Sequence, residues 1–587
     1  MNDLKIEWKN KIENALFLLA EKQSITILRE QIDLIVETPP RKEMGDVAFP
    51  LFPFAKIFRK SPAVIAADVK KYFEKNDKKS VSSISTNGPY INIKIDLSDL
   101  SGKVLEDVLA AGELYGQTDN FNNQKVMVEF SCPNTNKPLH LGHLRNDSIG
   151  MSVARIMSAN GADVRKVNLI NDRGVHICKS MLAYKKFGDN QTPEGSGIKS
   201  DHFVGDYYVK FNTWSKEYPE AENEAREMLK DWEGGKQDVT QLWEIMNSWT
   251  ISGIKETYKK TGIFFDKYYF ESKTYMEGRE EVLKGFNDGV FYKESDGSIW
   301  ADLSEIKLDK KVLLRSDGTS LYLTQDIGTA IARHRDWGFE KLIYVVGSEQ
   351  QYHFQVLFYI LKKLGFKWAA DLHHLSYGMV NLPDGKMKSR EGTVVDADDL
   401  VDELTLIAKQ EIISKERTSL VDDLEKTSES VALAALNYFL LQISPSKDMI
   451  FDPAESISFS GNTGPYLQYM GARISSMLRK FEDLKDNFKD AEFKPGLLDL
   501  AQERELLKLL MSFPEIVSEA GKGMNPSAVT SFLYDLSKSF SRYYHDIPIL
   551  QAPDKDVVIT RIHLVRAVLQ VLKNAFYLVG IPFLDRM

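Results

Sequence analysis

The chain is poor in cysteine: only Cys132 and Cys178 occur in 587 residues. That excludes a disulfide framework and any zinc site built from a cysteine cluster, and it fits a reducing compartment. No uninterrupted run of about 18 apolar residues occurs, so no membrane span is expected. The opening residues, MNDLKIEWKNKIENALFLLA, are charged throughout. They lack the apolar run and small-residue cleavage site of a secretory signal. There is no internal repeat and no low-complexity tract. A P-loop is missing too, since Gly235-Lys236 is followed by Gln237 and not by serine or threonine. The formal net charge is -9, which argues against a basic surface overall but leaves room for local basic faces that bind RNA. The expectation is a cytoplasmic, soluble chain without a membrane partner, acting as a monomer.

What is present suits a globular protein: 43% hydrophobic and 27% charged residues. At about 150 residues per domain, three or four domains are expected. Ile6, Ile12, Leu16 and Leu19 predict a helix over 5–24. Ser61-Pro62 marks another helix start, with serine as N-cap and proline in the first turn. In NGPYINIKI, Ile91, Ile93 and Ile95 alternate with Asn92 and Lys94, as in a half-buried strand after an Asn87-Gly88 turn. A helix over about 99–111 stops at Gly112, and the polar stretch 113–124 reads as a linker.

Beyond it the pattern becomes β-α-β-α. Strands are predicted at 125–131 and 164–170 and helices at 140–160 and from 175, which implies a parallel sheet with crossover helices. Residues 186–300 are polar and read as an insertion. The alternation resumes at 312–324, with strands at 341–347 and near 375–380. From 396 onward the chain is almost purely helical. This divides the protein into 1–120, 121–455 and 456–587.

Two short segments carry chemistry. Lys137-Pro138-Leu139-His140-Leu141-Gly142-His143 lies where a strand gives way to a helix. Its two imidazoles share one helical face. The N–H groups and positive dipole end of that helix attract phosphate, and the glycine lets a nucleotide approach the backbone. Taken alone, the histidines could equally be ordinary helix residues or two ligands of a metal. Gly385-Lys386-Met387-Lys388-Ser389-Arg390-Glu391-Gly392 is a basic, glycine-flanked loop after the strand near 375–380. Such a loop can close over a nucleotide and bring ammonium charge to developing pyrophosphate. A solvated surface turn is its bland alternative.

Together, a His-x-Gly-His after the first strand and a Lys-Met loop after the last resemble the signature pair of class I aminoacyl-tRNA synthetases. The flanking residues resemble the arginyl family. EFSCPNTNKPLHLGHLRNDSIG (129–150), RSDGTSLYLTQDIGTA (315–330), NTGPYLQYMGARISSMLRK (462–480), GDVAFPLFPFAK (45–56) and the ending Gly580-Ile581-Pro582 to Arg586-Met587 all carry the likeness. It runs end to end and is weakest over 186–300. The resemblance implies a class I Rossmann-like α/β catalytic domain, an α+β N-terminal domain that helps bind tRNA and an all-α C-terminal anticodon-binding bundle. It implies ATP-dependent activation of L-arginine, with Mg2+ accompanying ATP, and transfer to tRNA(Arg).

The resemblance also implies roles for individual residues. Glu129, Asn134, Tyr322, Asp326 and Gln350 would bind arginine. His140, Gly142, His143, His353, Lys386 and Met387 would bind ATP. Lys137, His140, His143, Lys386 and Lys388 would stabilise charge in the reaction. Tyr466, Tyr469 and Arg473 are candidates for anticodon contacts, with helix packing as their alternative. The pocket has its own logic, because a planar, always-charged guanidinium calls for carboxylates in a fork. By position alone Asp326 could equally be a helix N-cap. One departure stands out: Ser389 sits where many class I loops have a second lysine, and Lys137, just before the histidine motif, matches the arginyl family's substitute. Another class I synthetase, such as the cysteine enzyme, would normally need zinc ligands. A catalytically dead RNA-binding relative is argued against by the intact His140, His143, Lys386 and Asp326.

Overall fold

Ser61 does cap a helix in the computed structural model: its Oγ accepts the Val64 N–H at 3.4 Å, and the helix runs Pro62–Asn76. The first predicted helix is Asn2–Lys22, with Trp8, Ile12, Ala15, Leu16 and Ala20 inside. The structure describes residues 2–37, 39–77, 80–95, 100–318, 321–383 and 395–587. These fall into two compact units, Met1–Tyr115 with Lys480–Glu515 and Lys538–Val571, and Gly116–Arg479 with Ile516–Ser537 and Leu572–Met587.

In the first unit, β1 (Val47–Pro50), β2 (Ile84–Asn87) and β3 (Tyr90–Ile93) form an antiparallel sheet in the order β1-β3-β2. Because β3 is the middle strand, Asn92 is buried along with Ile91 and Ile93, where alternation alone predicted an exposed position. The helix Ser101–Ala111 stops at Gly112, whose φ of +54° suits glycine.

The second unit is built on a five-stranded parallel sheet. Its strands are β4 (Lys125–Glu129), β5 (Asp163–Ile170) and β6 (Lys267–Phe270), then β10 (Lys341–Gly347) and β11 (Leu372–Tyr377), after a small antiparallel sheet of β7 (Tyr292–Lys293), β8 (Ile299–Ala301) and β9 (Lys311–Leu314). The parallel order is β11-β10-β4-β5-β6. Both faces are covered, so β4 and β10 are buried almost throughout and read as continuous apolar runs. The chain leaves β4 for β5 on one side and returns as β10 on the other. Ligands of such sheets bind at this reversal, beyond the carboxyl ends of the strands. The pairing Tyr344↔Glu129↔Val167 puts Glu129 there.

Two expectations are corrected. The stretch 186–300 is mostly long helices, Ser200–Glu217, Ala221–Glu233 and Gln237–Thr261, and it also holds β6, the edge strand of the main sheet. The alternation at 312–324 is not a continuation of that sheet: β9 belongs to the antiparallel one, and Tyr322 already begins the helix Tyr322–Trp337. Beyond 396 the elements are helices joined by loops, apart from the two-residue strand Met449–Ile450, β13, which pairs with β12 (Val380–Asn381). The helix Lys555–Val579 is long and apolar enough to cross a membrane, but 67% of its most apolar window is buried inside the fold.

Candidate active site

The helix after β4 is Leu141–Ala159, and His140 is its N-cap. His140 Nδ1 accepts the Gly142 N–H at 3.1 Å, and His143 Nδ1 accepts the His140 N–H at 3.2 Å. The rings lie 3.9 Å apart. A Cβ on Gly142 would come within 2.9 Å of His140 Cε1, so the glycine makes room for an imidazole folded over the helix end. With Nδ1 accepting in both rings, the proton of each neutral imidazole sits on Nε2. Burial, helped by the Lys137 charge, pushes His140 down to about 4. Burial, with His140 and Lys137, holds His143 well below the usual range. The helix N-terminus therefore offers two neutral Nε2–H donors beside the Lys137 ammonium, a set suited to phosphate oxygens.

The chain that leaves the basic loop is tied to this motif: Leu141 N–H donates to Val395 O at 2.9 Å and Ala397 N–H to Leu139 O at 3.0 Å. Lys386, Met387 and Lys388 lie outside the described residues. Nearby, Asp201, His202 and Asp398 cluster closely enough to hold a metal ion. Lys199 already places its ammonium 3.0 Å from Asp201 and 2.7 Å from Asp398, so the cluster has a cation of its own.

On the other side of the reversal lie the carboxylates. Glu129 is buried at the end of β4 and ion-pairs with Arg333, which is also fully buried. Burial raises the Glu129 carboxyl and Arg333 draws it back down. The Arg333 guanidinium lies over the rings of Tyr269 at 5.2 Å and Tyr344 at 5.9 Å. Asp326 is inside the helix Tyr322–Trp337, whose N-cap is Leu321, so it is not a cap. It sits one turn beyond Tyr322, which is 71% exposed and free to face a ligand. His353 Nε2 lies 2.6 Å from Asp326 Oδ2, so in this structure it meets that carboxylate. Gln350 is exposed in the turn after β10. Asn134 is exposed and bridges to Asn171 just past β5.

Sequence reasoning missed a third carboxylate. Glu271 follows β6 directly; burial pushes it up to about 7, with Asp326 and Asp172 adding to the rise and Arg173 opposing it. Asp172 accepts the Ser272 N–H at 2.9 Å and its hydroxyl at 2.6 Å, fixing the start of that helix. The available signal was a charge standing immediately after a short aromatic strand. Asp326 is electrostatically coupled to both Glu129, at the carboxyl end of β4, and Glu271, just past β6. Tyr466, Tyr469 and Arg473, on the helix Gly464–Leu484, are half-buried. Arg473 donates to the Tyr469 hydroxyl at 2.7 Å, and Arg417 lies 5.0 Å over the same ring.

A helix end with two neutral imidazole donors, and a group of carboxylates beyond the strands, narrow the chemistry, and the relatives resolve it. The class I (R) tRNA synthetase catalytic-domain model matches residues 104–453. The DALR anticodon-binding domain model matches 467–587, and the arginyl-tRNA synthetase N-terminal domain model matches 7–95. The arginine–tRNA ligase of Treponema denticola is 58% identical over the whole of both chains. The chain belongs to the arginyl-tRNA synthetase family. The corresponding ligase of Bacteroides fragilis is 45% identical, covering 92% of this chain and 94% of its own. Among solved structures, the Thermus thermophilus arginyl-tRNA synthetase matches in fold with a TM-score of 0.76 at 24% identity, over 100% of both chains. That from Plasmodium falciparum matches with 0.77 at 20% identity, over 100% of this chain and 99% of its own.

Proposed function

We propose that the chain joins L-arginine to tRNA(Arg) in two steps. The arginine carboxylate attacks the α-phosphate of ATP, forming arginyl-adenylate and releasing pyrophosphate. The 2′-hydroxyl of the tRNA's terminal adenosine then attacks the carbonyl carbon and releases AMP. Mg2+ arrives on the triphosphate as part of the nucleotide substrate. The observation that carries this reading is the juxtaposition at one sheet reversal: neutral Nε2–H donors and Lys137 on one side, and Glu129, Asp326 and Glu271 on the other.

The protein's part is positioning and charge stabilisation more than covalent chemistry. His140 and His143 donate to phosphate oxygens, and Lys137, Lys386 and Lys388 supply positive charge as negative charge moves onto the leaving pyrophosphate. Asp326 and Glu129 grip the guanidinium, with Tyr322, Asn134 and Gln350 ordering the rest of the amino acid. His353 serves ATP once substrate draws Asp326 away from it. Residues 1–120 help hold the tRNA, 121–455 carry the reaction, and 456–587 read the anticodon through Tyr466, Tyr469 and Arg473. The chain works as a cytoplasmic monomer. The test is charging of tRNA(Arg) with each of the standard amino acids in turn. Arginine alone should be incorporated; incorporation of another amino acid in its place would overturn the proposal.

A further inference from the structure

Between Glu129 and Asn134, two consecutive residues hold backbone that side chains rarely adopt: Ser131 at φ +73° and Cys132 at φ +50°. Non-glycine residues persist in that region only where their surroundings over-determine them. Here the surroundings can be named. The Ser131 N–H donates to Asn146 Oδ1 at 2.6 Å, and the Cys132 N–H donates to Asn168 Oδ1 at 3.2 Å. The Cys132 carbonyl accepts from Asn171 Nδ2 at 3.0 Å.

The two asparagines are anchored in turn. Asn146 Nδ2 donates to Val345 O at 2.8 Å and to the Tyr377 hydroxyl at 3.1 Å, on the two neighbouring strands β10 and β11. Asn168 Nδ2 donates to the Tyr258 hydroxyl at 2.9 Å, and that hydroxyl is 2.6 Å from Ser131 Oγ. Asn146, Asn168 and Tyr258 are all buried, so no solvent stands ready to replace a lost bond. Tyr258 sits on Gln237–Thr261, the long helix between β5 and β6, so the stretch 186–300 reaches the amino-acid site through this hydroxyl.

We propose that Asn146, Asn168 and Tyr258 are positioning residues for arginine: they hold Ser131 and Cys132 in the left-handed turn and so set the distance between Glu129 and Asn134. Glu129 is fixed by the sheet ladder and by Arg333, and Asn134 is held by its bridge to Asn171, so relaxation of the turn works against that bridge and shifts Asn134 relative to Glu129. The proposal rests on Glu129 and Asn134 contacting arginine, as put forward above.

The test is steady-state kinetics on the full-length chain, with arginine and ATP varied separately. Asn146→Ala should raise the arginine KM by about thirtyfold, the scale of one strained residue released, and move the ATP KM by less than about twofold. Tyr258→Phe, which keeps the ring and loses the hydroxyl, should give a smaller rise of the same kind. Adding Ser131→Gly to Asn146→Ala should recover part of the loss, because glycine adopts positive φ without support. Asn134→Ala separates the two readings. If it leaves the arginine KM unchanged, the assignment of Asn134 fails and the positioning role falls with it. If it raises the arginine KM while Asn146→Ala raises both KM values alike, or while Ser131→Gly restores nothing, the positioning role alone is overturned.

Discussion

The two sides of the candidate site are held by different kinds of partner. His140 and His143 are fixed by N–H groups within three residues of themselves. Glu129 and Asp326 are fixed by Arg333 and His353, which lie on other elements far along the chain. A short motif therefore carries its own geometry and survives as a recognisable string. A group of carboxylates on a strand and two helices is assembled by the fold, and its string means little until the fold is known. The histidines differ in the same way: the motif's half-buried pair are fixed by neighbouring N–H groups, whereas His353 meets a carboxylate on another helix.

The comparison can be broken hardest at its remote partner. Arg333→Met should leave the Glu129 carboxylate buried without its countercharge and destabilise the chain by about 3–5 kcal/mol. Thermal melting would register it, and a variant as stable as the parent would mean that Glu129 does not depend on Arg333. On the phosphate side, Lys137→Ala should lower kcat by about 10²–10³, the scale for one preorganised donor to developing charge, with little change in the arginine KM because the contact matters mainly in the transition state. Lys388→Ala should cost far less; the reverse ranking would move the second charge to the loop. Asp326→Asn should weaken arginine binding by about 2–4 kcal/mol, as for a charged hydrogen-bonded pair, and leave the ATP KM nearly unaltered. Equal rises in both would place Asp326 outside the arginine pocket.

A pH-dependent effect concerns Asp147, next to Asn146 on the same helix. It is buried, and the Ser131 hydroxyl only partly offsets the cost of charging it. Burial pushes its carboxyl from 3.8 up to about 8. A raised folded value means that the protonated form is the one the fold favours. The stability it contributes is full below about pH 4 and is lost as the pH rises towards about 8. Asp147→Asn is neutral throughout, so its gain in Tm over the parent should widen across that interval and then level off. A gain that does not vary with pH would show that Asp147 is ionised in the folded chain at neutral pH.

The legible parts of the sequence follow the same division. β4 and β10 were plain because parallel strands covered on both faces read as apolar runs. β6 was hidden because Lys267–Phe270 is short and lies in a polar stretch. The motif 137–143 was legible down to the identity of the N-cap. Arg333 was not, since a buried arginine in TAIARHRDW looks like any charge on an amphipathic helix until Glu129 is found behind it. Glu271 was missed for the reason β6 was: the strand that presents it was read as part of an insertion. Asp326 could be either pocket or cap from its position, and only the observed start of the helix, at Tyr322, removed the cap.

The account rests on carboxylates selecting a cation, and one binding measurement reaches that directly. Citrulline has the shape of arginine with a neutral urea group in place of the guanidinium. Calorimetric titration of the full chain with each should give arginine an affinity at least about a hundredfold higher, the scale for leaving buried charged groups without their partner. Equal affinities for the two would contradict a pocket built on Glu129 and Asp326.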